Sequence, residues 1–241
     1  MFGNVSGDRN VILNITDDRA LEMTNVLCPA PNSLGLPMEA AANVGVVIAP
    51  LLENDPSQDS IYQLYPDMPI PTDRDIGDFT TPADRDLLVK IGSSTVDINV
   101  NSYRIVDLVT TYHPEDEPVG LVTYRWVRDL AGVDWNVAFQ YLILVDLYVF
   151  GKTIIEDGKS TTSRNVISPT NWKSIVHTFA DDLESLALIA DADYMQDSIT
   201  VAISASNPNR FETCFRYKRT GVARVVPTCS EANPNVGELT F

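Results

Sequence analysis

The chain has 241 residues, of which 44% are hydrophobic, and its 33 acidic and 17 basic side chains give a formal net charge of -16. This acidic excess argues against a protein whose main task is to hold nucleic-acid phosphates through counterion release. A chain of this length buries roughly 70–75% of its unfolded surface, so its core needs neither metal ions nor disulfides. The first residues lack the basic stretch and apolar run of a signal peptide, so we expect no export signal.

Residues 1–85 are unusually rich in proline. Proline donates no backbone hydrogen bond and pushes the residue before it towards an extended conformation. The spacing therefore predicts an extended N-terminal arm, with short strands at residues 10–15 and 44–52. The prolines are Pro29, Pro31, Pro37, Pro50, Pro56, Pro66, Pro69, Pro71 and Pro82.

From residue 86 onward, short apolar segments follow one another and are typical of strands. The clearest is TVDINV at residues 95–100, where valine and isoleucine alternate with polar side chains. Only residues 180–190 predict a helix, because acidic residues come early in that stretch. We therefore predict an all-β fold, an antiparallel β-sandwich of the jelly-roll kind at residues 86–241, preceded by the proline-rich extension. The other predicted strands are 103–111, 119–127, 137–150, 152–155, 173–179, 198–204, 211–218 and 222–226.

The apolar run at residues 136–150 is interrupted by Gln140 and Asp146. It is shorter than the ~20 residues that a membrane helix requires. We therefore expect a core element here and no membrane contact.

The sequence offers no convincing catalytic set. The two histidines, His113 and His177, are the only side chains that normally titrate near neutral pH, and we place one in a loop and one in a strand. No nucleophile elbow, zinc-protease helix, Walker loop or dinucleotide fingerprint occurs. We therefore predict no enzyme activity, no catalytic residues and no cofactor.

Two dense acidic groups are the candidates for an ion site. Carboxylate oxygens in flexible loops suit Ca²⁺, although the EF-hand pattern does not occur. A bound calcium ion is the hypothesis left open for these residues, which are Asp181, Asp182, Glu184, Asp191 and Asp193.

One basic group lies near the C-terminus, and it is the candidate for a contact with an acidic neighbouring subunit. Given the net charge, a protein partner is preferred, and contact with nucleic acid is expected to be weak or missing. The group consists of Arg210, Arg216, Lys218, Arg219 and Arg224. Three cysteines are too few for a disulfide framework, and whether Cys214 pairs with Cys229 stays open.

Two stretches resemble the jelly-roll coat proteins of picorna-like icosahedral viruses. Residues 4–21 are similar to the segment that opens some of these subunits, and residues 199–218 resemble their last two strands joined by an Asn-Pro turn. The resemblance implies a capsid protein without enzymatic activity, located in the virion. Its partners would be other copies of itself and other structural proteins of the particle.

Two alternatives remain beside the capsid. The first is a phage tail, neck, baseplate or decoration protein, for which residues 103–127 with their acidic loop would supply an inter-subunit hairpin. The second is a carbohydrate-binding β-sandwich module or hydrolase, in which Trp126, Trp135 and Trp172 would stack on sugars.

Overall fold

The computed structural model describes the backbone of residues 2–4 and the whole of residues 7–115 and 125–223. Within these ranges the chain forms six α-helices and eight short strands, and the structure is about 42% helical. The predicted all-β jelly-roll sandwich is therefore wrong.

Three of the helices begin with a proline at their first position. They are α2 (Pro37–Asn54), α3 (Pro82–Lys90) and α5 (Pro169–Ser185). The first N–H groups of a helix have no partner inside it, and the fixed φ of proline suits a helix, so proline is favoured there. The side chains of Thr81 and Ser168 cap two of these helices by accepting hydrogen bonds from backbone N–H groups. Prolines that we interpreted as breaks in an extended arm thus start helices.

The remaining helices also occupy segments that we assigned to strands or loops. Helix α1 (Arg9–Thr16) replaces the strand predicted at 10–15, and its N-cap Asp8 accepts from the N–H of Asn10 at 2.7 Å. A π-helical stretch, Arg128–Asp134, continues directly into α4 (Trp135–Tyr148). Helix α6 (Ala192–Ser198) follows α5. The strands predicted at 44–52, 137–150 and 173–179 are therefore parts of helices α2, α4 and α5.

The strands form four separate pairs. In the described ranges no sheet has more than two strands, so nothing closes into a sandwich. Strands at Thr95–Asn99, Thr153–Ile154, Thr200–Ile203 and Phe211–Cys214 do lie within predicted strands, and a strand at Ser102–Asp107 begins one residue before the one predicted at 103–111. The parallel pairs are β1 (Phe2–Asn4) with β2 (Leu27–Pro29) and β5 (Thr153–Ile154) with β6 (Val166–Ile167). The antiparallel pairs are β3 (Thr95–Asn99) with β4 (Ser102–Asp107) and β7 (Thr200–Ile203) with β8 (Phe211–Cys214).

Two hydrophobic clusters make up the core. The first is drawn from residues 12–127 and includes the inner face of α2 together with the buried Tyr65 and Tyr103. Tyr65 donates its hydroxyl to the carbonyl of Pro29, and Tyr103 donates to that of Pro31. Burial raises the pKa of Tyr103 to about 12, so it stays a donor. The second cluster is drawn from residues 133–217 and surrounds Trp172 on α5. The domain boundary predicted between residues 85 and 86 stays a prediction.

Two arginines fasten the π-helical stretch to distant parts of the chain. Arg128 is only 5% exposed and donates to the carbonyls of Ser57 at 3.1 Å and Thr220 at 2.6 Å. Arg219 holds both carboxylate oxygens of Asp134, at 2.8 and 2.5 Å. The Asp134 carboxylate raises the pKa of Arg219. The segment that leads into helix α4 is therefore held in place by contacts with distant parts of the chain.

Candidate interaction surface

Helix α4 is apolar on both its inner and its outer face. Its inner side chains, among them Val137, Tyr141 and Leu144, pack on the second cluster. Between residues 135 and 150, Asp146 is the only charged residue. A surface helix of a soluble domain usually presents a polar outer face, so the apolar outer face of α4 is unusual.

The outer side chains form a row along α4 that continues to Phe150, two residues past its last helical residue, and we call this row the α4 stripe. Its members recur every three or four residues, the spacing of one helical face. Their exposure lies between 44% and 69%. Taking about 200 Å² for each large side chain, the stripe exposes on the order of 700 Å² of apolar surface, more than the ~300–600 Å² of the largest patch on a typical monomer. The α4 stripe consists of Trp135, Phe139, Leu142, Ile143, Leu147 and Phe150.

An apolar groove opens at the N-terminal end of the stripe, and Trp135 belongs to both. It has a volume of about 200 Å³ and lies between helix α2 and the π-helical stretch. A cavity of ~150 Å³ is enough to hold benzene, so an aromatic side chain fits in this space. Its apolar walls include Val26, Ile48, Ala49, Leu52 and Leu130.

The π-helical stretch and α4 together, Arg128–Tyr148, are the one helix in the described ranges that is long and apolar enough to cross a membrane. However, Arg128 and Asp134 are held inside the fold by Thr220 and Arg219. Only the 14 residues of α4 are left, and at 1.5 Å per residue they span about 21 Å, less than the ~30 Å of a hydrocarbon core. Helix α4 by itself is therefore too short to cross a membrane.

The acidic residues considered for calcium have protein partners or lie apart. Glu184 accepts from the N–H of Ala192 at 3.0 Å, and Asp181 accepts from Gln196 at 2.7 Å. Asp191 caps α6 and pairs with Lys218 at 2.7 Å, and this hydrogen bond from the lysine is the main reason why its pKa is lowered. Asp182 and Asp193 are exposed on α5 and α6. Across residues 7–115 and 125–223, no group of three or more His, Cys, Asp or Glu side chains is placed to hold a metal ion.

The basic residues near the C-terminus do not form one patch. Arg210 pairs with Glu212 at 2.7 Å, while Arg219 faces inward to Asp134. Arg216 and Lys218 are exposed, whereas their neighbours Phe215 and Tyr217 pack on the second cluster. Arg224 lies outside the described residues. Their role in subunit contacts stays a prediction.

The predicted sugar-stacking tryptophans are also separated. Trp172 is 1% exposed and donates its indole N–H to Thr213 at 3.0 Å, so it cannot reach a ligand. Trp126 takes part in a β-bridge with Val109, and Trp135 belongs to the α4 stripe. These positions give no shared sugar platform.

The histidines and cysteines add no reactive centre that the structure describes. His113 Nδ1 lies 2.6 Å from the carbonyl oxygen of Thr111, and His177 lies on α5 rather than in the predicted strand. Burial raises the pKa of the Cys28 thiol to about 12. Cys214 is exposed, and its possible partner Cys229 lies outside the described residues.

No family model matches the chain, and no curated protein matches it. Among solved structures, it is similar to a subunit in the cryo-EM structure of the anti-feeding prophage baseplate, symmetrised six-fold, with a TM-score of 0.57 and 11% identity. The chain shares its fold with a baseplate subunit. The match covers 89% of this chain and 56% of the other. A sheath tail protein from Desulfitobacterium hafniense also matches, with a TM-score of 0.38, 13% identity and coverage of 68% and 37%.

The comparison corrects the resemblance to picorna-like coat proteins. The solved structure that shares this fold comes from a baseplate and is not a jelly-roll capsid protein. The hairpin predicted for a tail protein begins at β4, but its residues 116–124 lie outside the described part of the chain.

Proposed function

We propose that this chain is a structural subunit of a phage-type tail or baseplate assembly. The observation that carries the proposal is the fold shared with the anti-feeding prophage baseplate subunit over 89% of the chain. The chain spans 56% of that subunit, so the proposal concerns a structural role and not every contact that the larger protein makes. On this proposal its partners are copies of itself and other structural proteins of the particle.

The exposed apolar surface supports the proposal independently of the comparison. Residues 135–150 carry one charge and expose an apolar outer face, and a patch of this size is uncommon on a protein that stays monomeric in water. It is expected on a subunit whose surface becomes covered during assembly. The net charge of -16 keeps the free subunit soluble until then.

The test is direct observation of assembly. Purified full-length chain is followed by light scattering from ~1 to ~100 µM, and the concentrated sample is imaged by negative-stain microscopy. We expect rings, stacked rings or tubes. Closed icosahedral shells would contradict the tail or baseplate role, and particles of single chains at every concentration would contradict a structural role based on self-assembly.

A further inference from the structure

We propose that the α4 stripe is covered by the α4 stripe of a second copy of this chain, with the two helices antiparallel about a two-fold axis beside Leu142 and Ile143. The inference deepens the proposed structural role. It rests on that role in one respect, which is that copies of the chain associate with each other. It does not depend on a baseplate.

The size of the surface fits one protein partner. A standard specific interface buries about 800 Å² on each side, and the stripe alone exposes on the order of 700 Å². The groove beside Trp135 and the 41%-exposed Tyr148 add to it. Two stripes in contact therefore cover each other with little apolar surface left over.

The order of side chains along the stripe is complementary to itself when reversed. The midpoint between Trp135 and Phe150 falls between Leu142 and Ile143. An antiparallel pair centred there places Leu142 of one copy against Ile143 of the other. It also brings Phe150 of each copy to Trp135 of its partner, where the groove of about 200 Å³ can receive the ring. A two-fold contact of this kind uses the same patch on both subunits.

The charges permit this arrangement although each copy is strongly acidic. Asp146 is the only charge in the stripe region. In the proposed register the two Asp146 residues lie seven helical positions apart, about 10 Å along the axis. That distance exceeds the ~8 Å Debye length of physiological salt, so the two carboxylates repel each other only weakly where they keep contact with water. Contact through any more acidic face would bring like charges closer.

A lipid surface fits the stripe less well than a second copy does. A helix that lies on a membrane usually carries lysines and arginines on its polar side, which attract anionic headgroups. Residues 135–150 contain neither, and the chain as a whole repels anionic lipid. The antiparallel pair is therefore the occupant that the charges favour.

The first experiment compares Leu142→Lys with Leu34→Lys. Both leucines are exposed, at 64% and 85%, but only Leu142 lies in the stripe, so both variants should fold. For wild type we expect a mass of two 26.6 kDa chains, or an even multiple of it, in sedimentation or light scattering. Leu142→Lys puts two like charges at the two-fold axis, so we expect its dimer dissociation constant to rise at least ~100-fold. Leu34→Lys should associate as wild type does.

The second experiment tests the register by cross-linking in a background with Cys214→Ser and Cys229→Ser. Leu142→Cys should cross-link to itself with a short thiol reagent, because both copies of position 142 flank the axis. Phe150→Cys alone should not, since its two copies lie beyond opposite ends of the paired helices, which are about 16 Å apart. A mixture of Trp135→Cys and Phe150→Cys chains should give a mixed cross-linked pair, and Leu34→Cys is the negative control.

Several results would overturn the pairing. Wild type that stays a single chain at 100 µM would do so, as would association that Leu142→Lys leaves intact. Binding of wild-type monomers, but not Leu142→Lys monomers, to vesicles of phosphatidylcholine and phosphatidylserine would show a lipid occupant instead. If rings form in which Trp135→Cys cross-links to Phe150→Cys but Leu142→Cys does not cross-link to itself, the proposed function is kept and the two-fold contact is refuted. If the chain forms only a discrete dimer with the expected cross-links, the two-fold contact is kept and the proposed function is refuted.

Discussion

Replacement of Arg128 by methionine tests how the fold holds the base of α4. The arginine is 5% exposed, and its guanidinium donates to the carbonyls of Ser57 and Thr220 and to the Thr220 hydroxyl. Methionine fills most of the volume but leaves two carbonyls without these charged donors. An unsatisfied buried polar group costs about 1–3 kcal/mol, so we expect a loss of about 3–4 kcal/mol in the free energy of unfolding.

The loss can be measured by thermal unfolding and by urea titration followed by circular dichroism. For a domain of this size, 1 kcal/mol corresponds to roughly 2–4 °C in Tm, so Arg128→Met should lower Tm by about 6–16 °C. The matched control is Arg164→Met at an exposed position, which should stay within about 0.5 kcal/mol of wild type. If Arg128→Met also stays within about 1 kcal/mol, the guanidinium does not hold these two segments together.

Three further predictions concern backbone crowding, thiol burial and pH. Gly132→Ala should lower the free energy of unfolding measured by urea titration, because a Cβ there would lie 2.4 Å from a backbone carbonyl oxygen. A Cβ at Gly45 in helix α2 meets nothing within 4 Å, so Gly45→Ala should raise the free energy of unfolding by about 0.5–1 kcal/mol. Equal effects of the two substitutions would contradict this packing. Site-resolved mass spectrometry after maleimide treatment should find native Cys214 modified rapidly and Cys28 only after denaturation, since burial raises the Cys28 pKa to about 12. Hydrogen bonds from a lysine and a backbone N–H lower the Asp191 pKa, so its stabilisation is present above the unfolded pKa of ~3.9 and disappears as pH falls through the folded value. The Tm difference between wild type and Asp191→Asn should accordingly be largest near pH 7 and shrink as the pH falls through the folded pKa. A difference independent of pH would exclude the ion pair as its source.

The sequence indicated the strands more reliably than the helices. Strands β3, β4, β7 and β8 lie in segments where β-branched and aromatic residues alternate with polar ones. This alternation indicates a strand with one buried face. How such strands pair depends on contacts far along the chain, so their separation into isolated ribbons could not be read from the segments themselves. The fold class was wrong for that reason.

The helices that the sequence prediction missed carry two local signals. Thr81-Pro82 and Ser168-Pro169 are capping residues followed by proline, a pattern that starts helices as readily as it ends them. In α5, the buried Trp172, Val176 and Leu183 follow helical spacing. Pro82 was interpreted only as a breaker of structure, and the signal at Ser168-Pro169 was not used when residues 173–179 were assigned to a strand.

The α4 stripe could not be located from its sequence. Because residues 136–150 are apolar at nearly every position, periods of two and 3.6 residues fit the run equally well. Burial of one face against α5 leaves the other exposed, and only the packed structure shows which face that is. The sequence predicted assembly through subunit contacts but placed these contacts on basic residues. Three of them, Arg210, Lys218 and Arg219, pair with carboxylates of the same chain.

The ties at the base of α4 have a consequence for synthesis. Arg128 bonds to Thr220 and Asp134 bonds to Arg219, and these partners lie 92 and 85 positions apart in the sequence. At ~5–20 residues per second, a nascent chain carries both groups for roughly 4–20 seconds before their partners are made. During that interval α4 has an unfinished base and an apolar surface beside neighbouring nascent chains. Chaperone binding to ribosome-bound intermediates should therefore be strongest after residue 150 has emerged and should fall once residue 220 has.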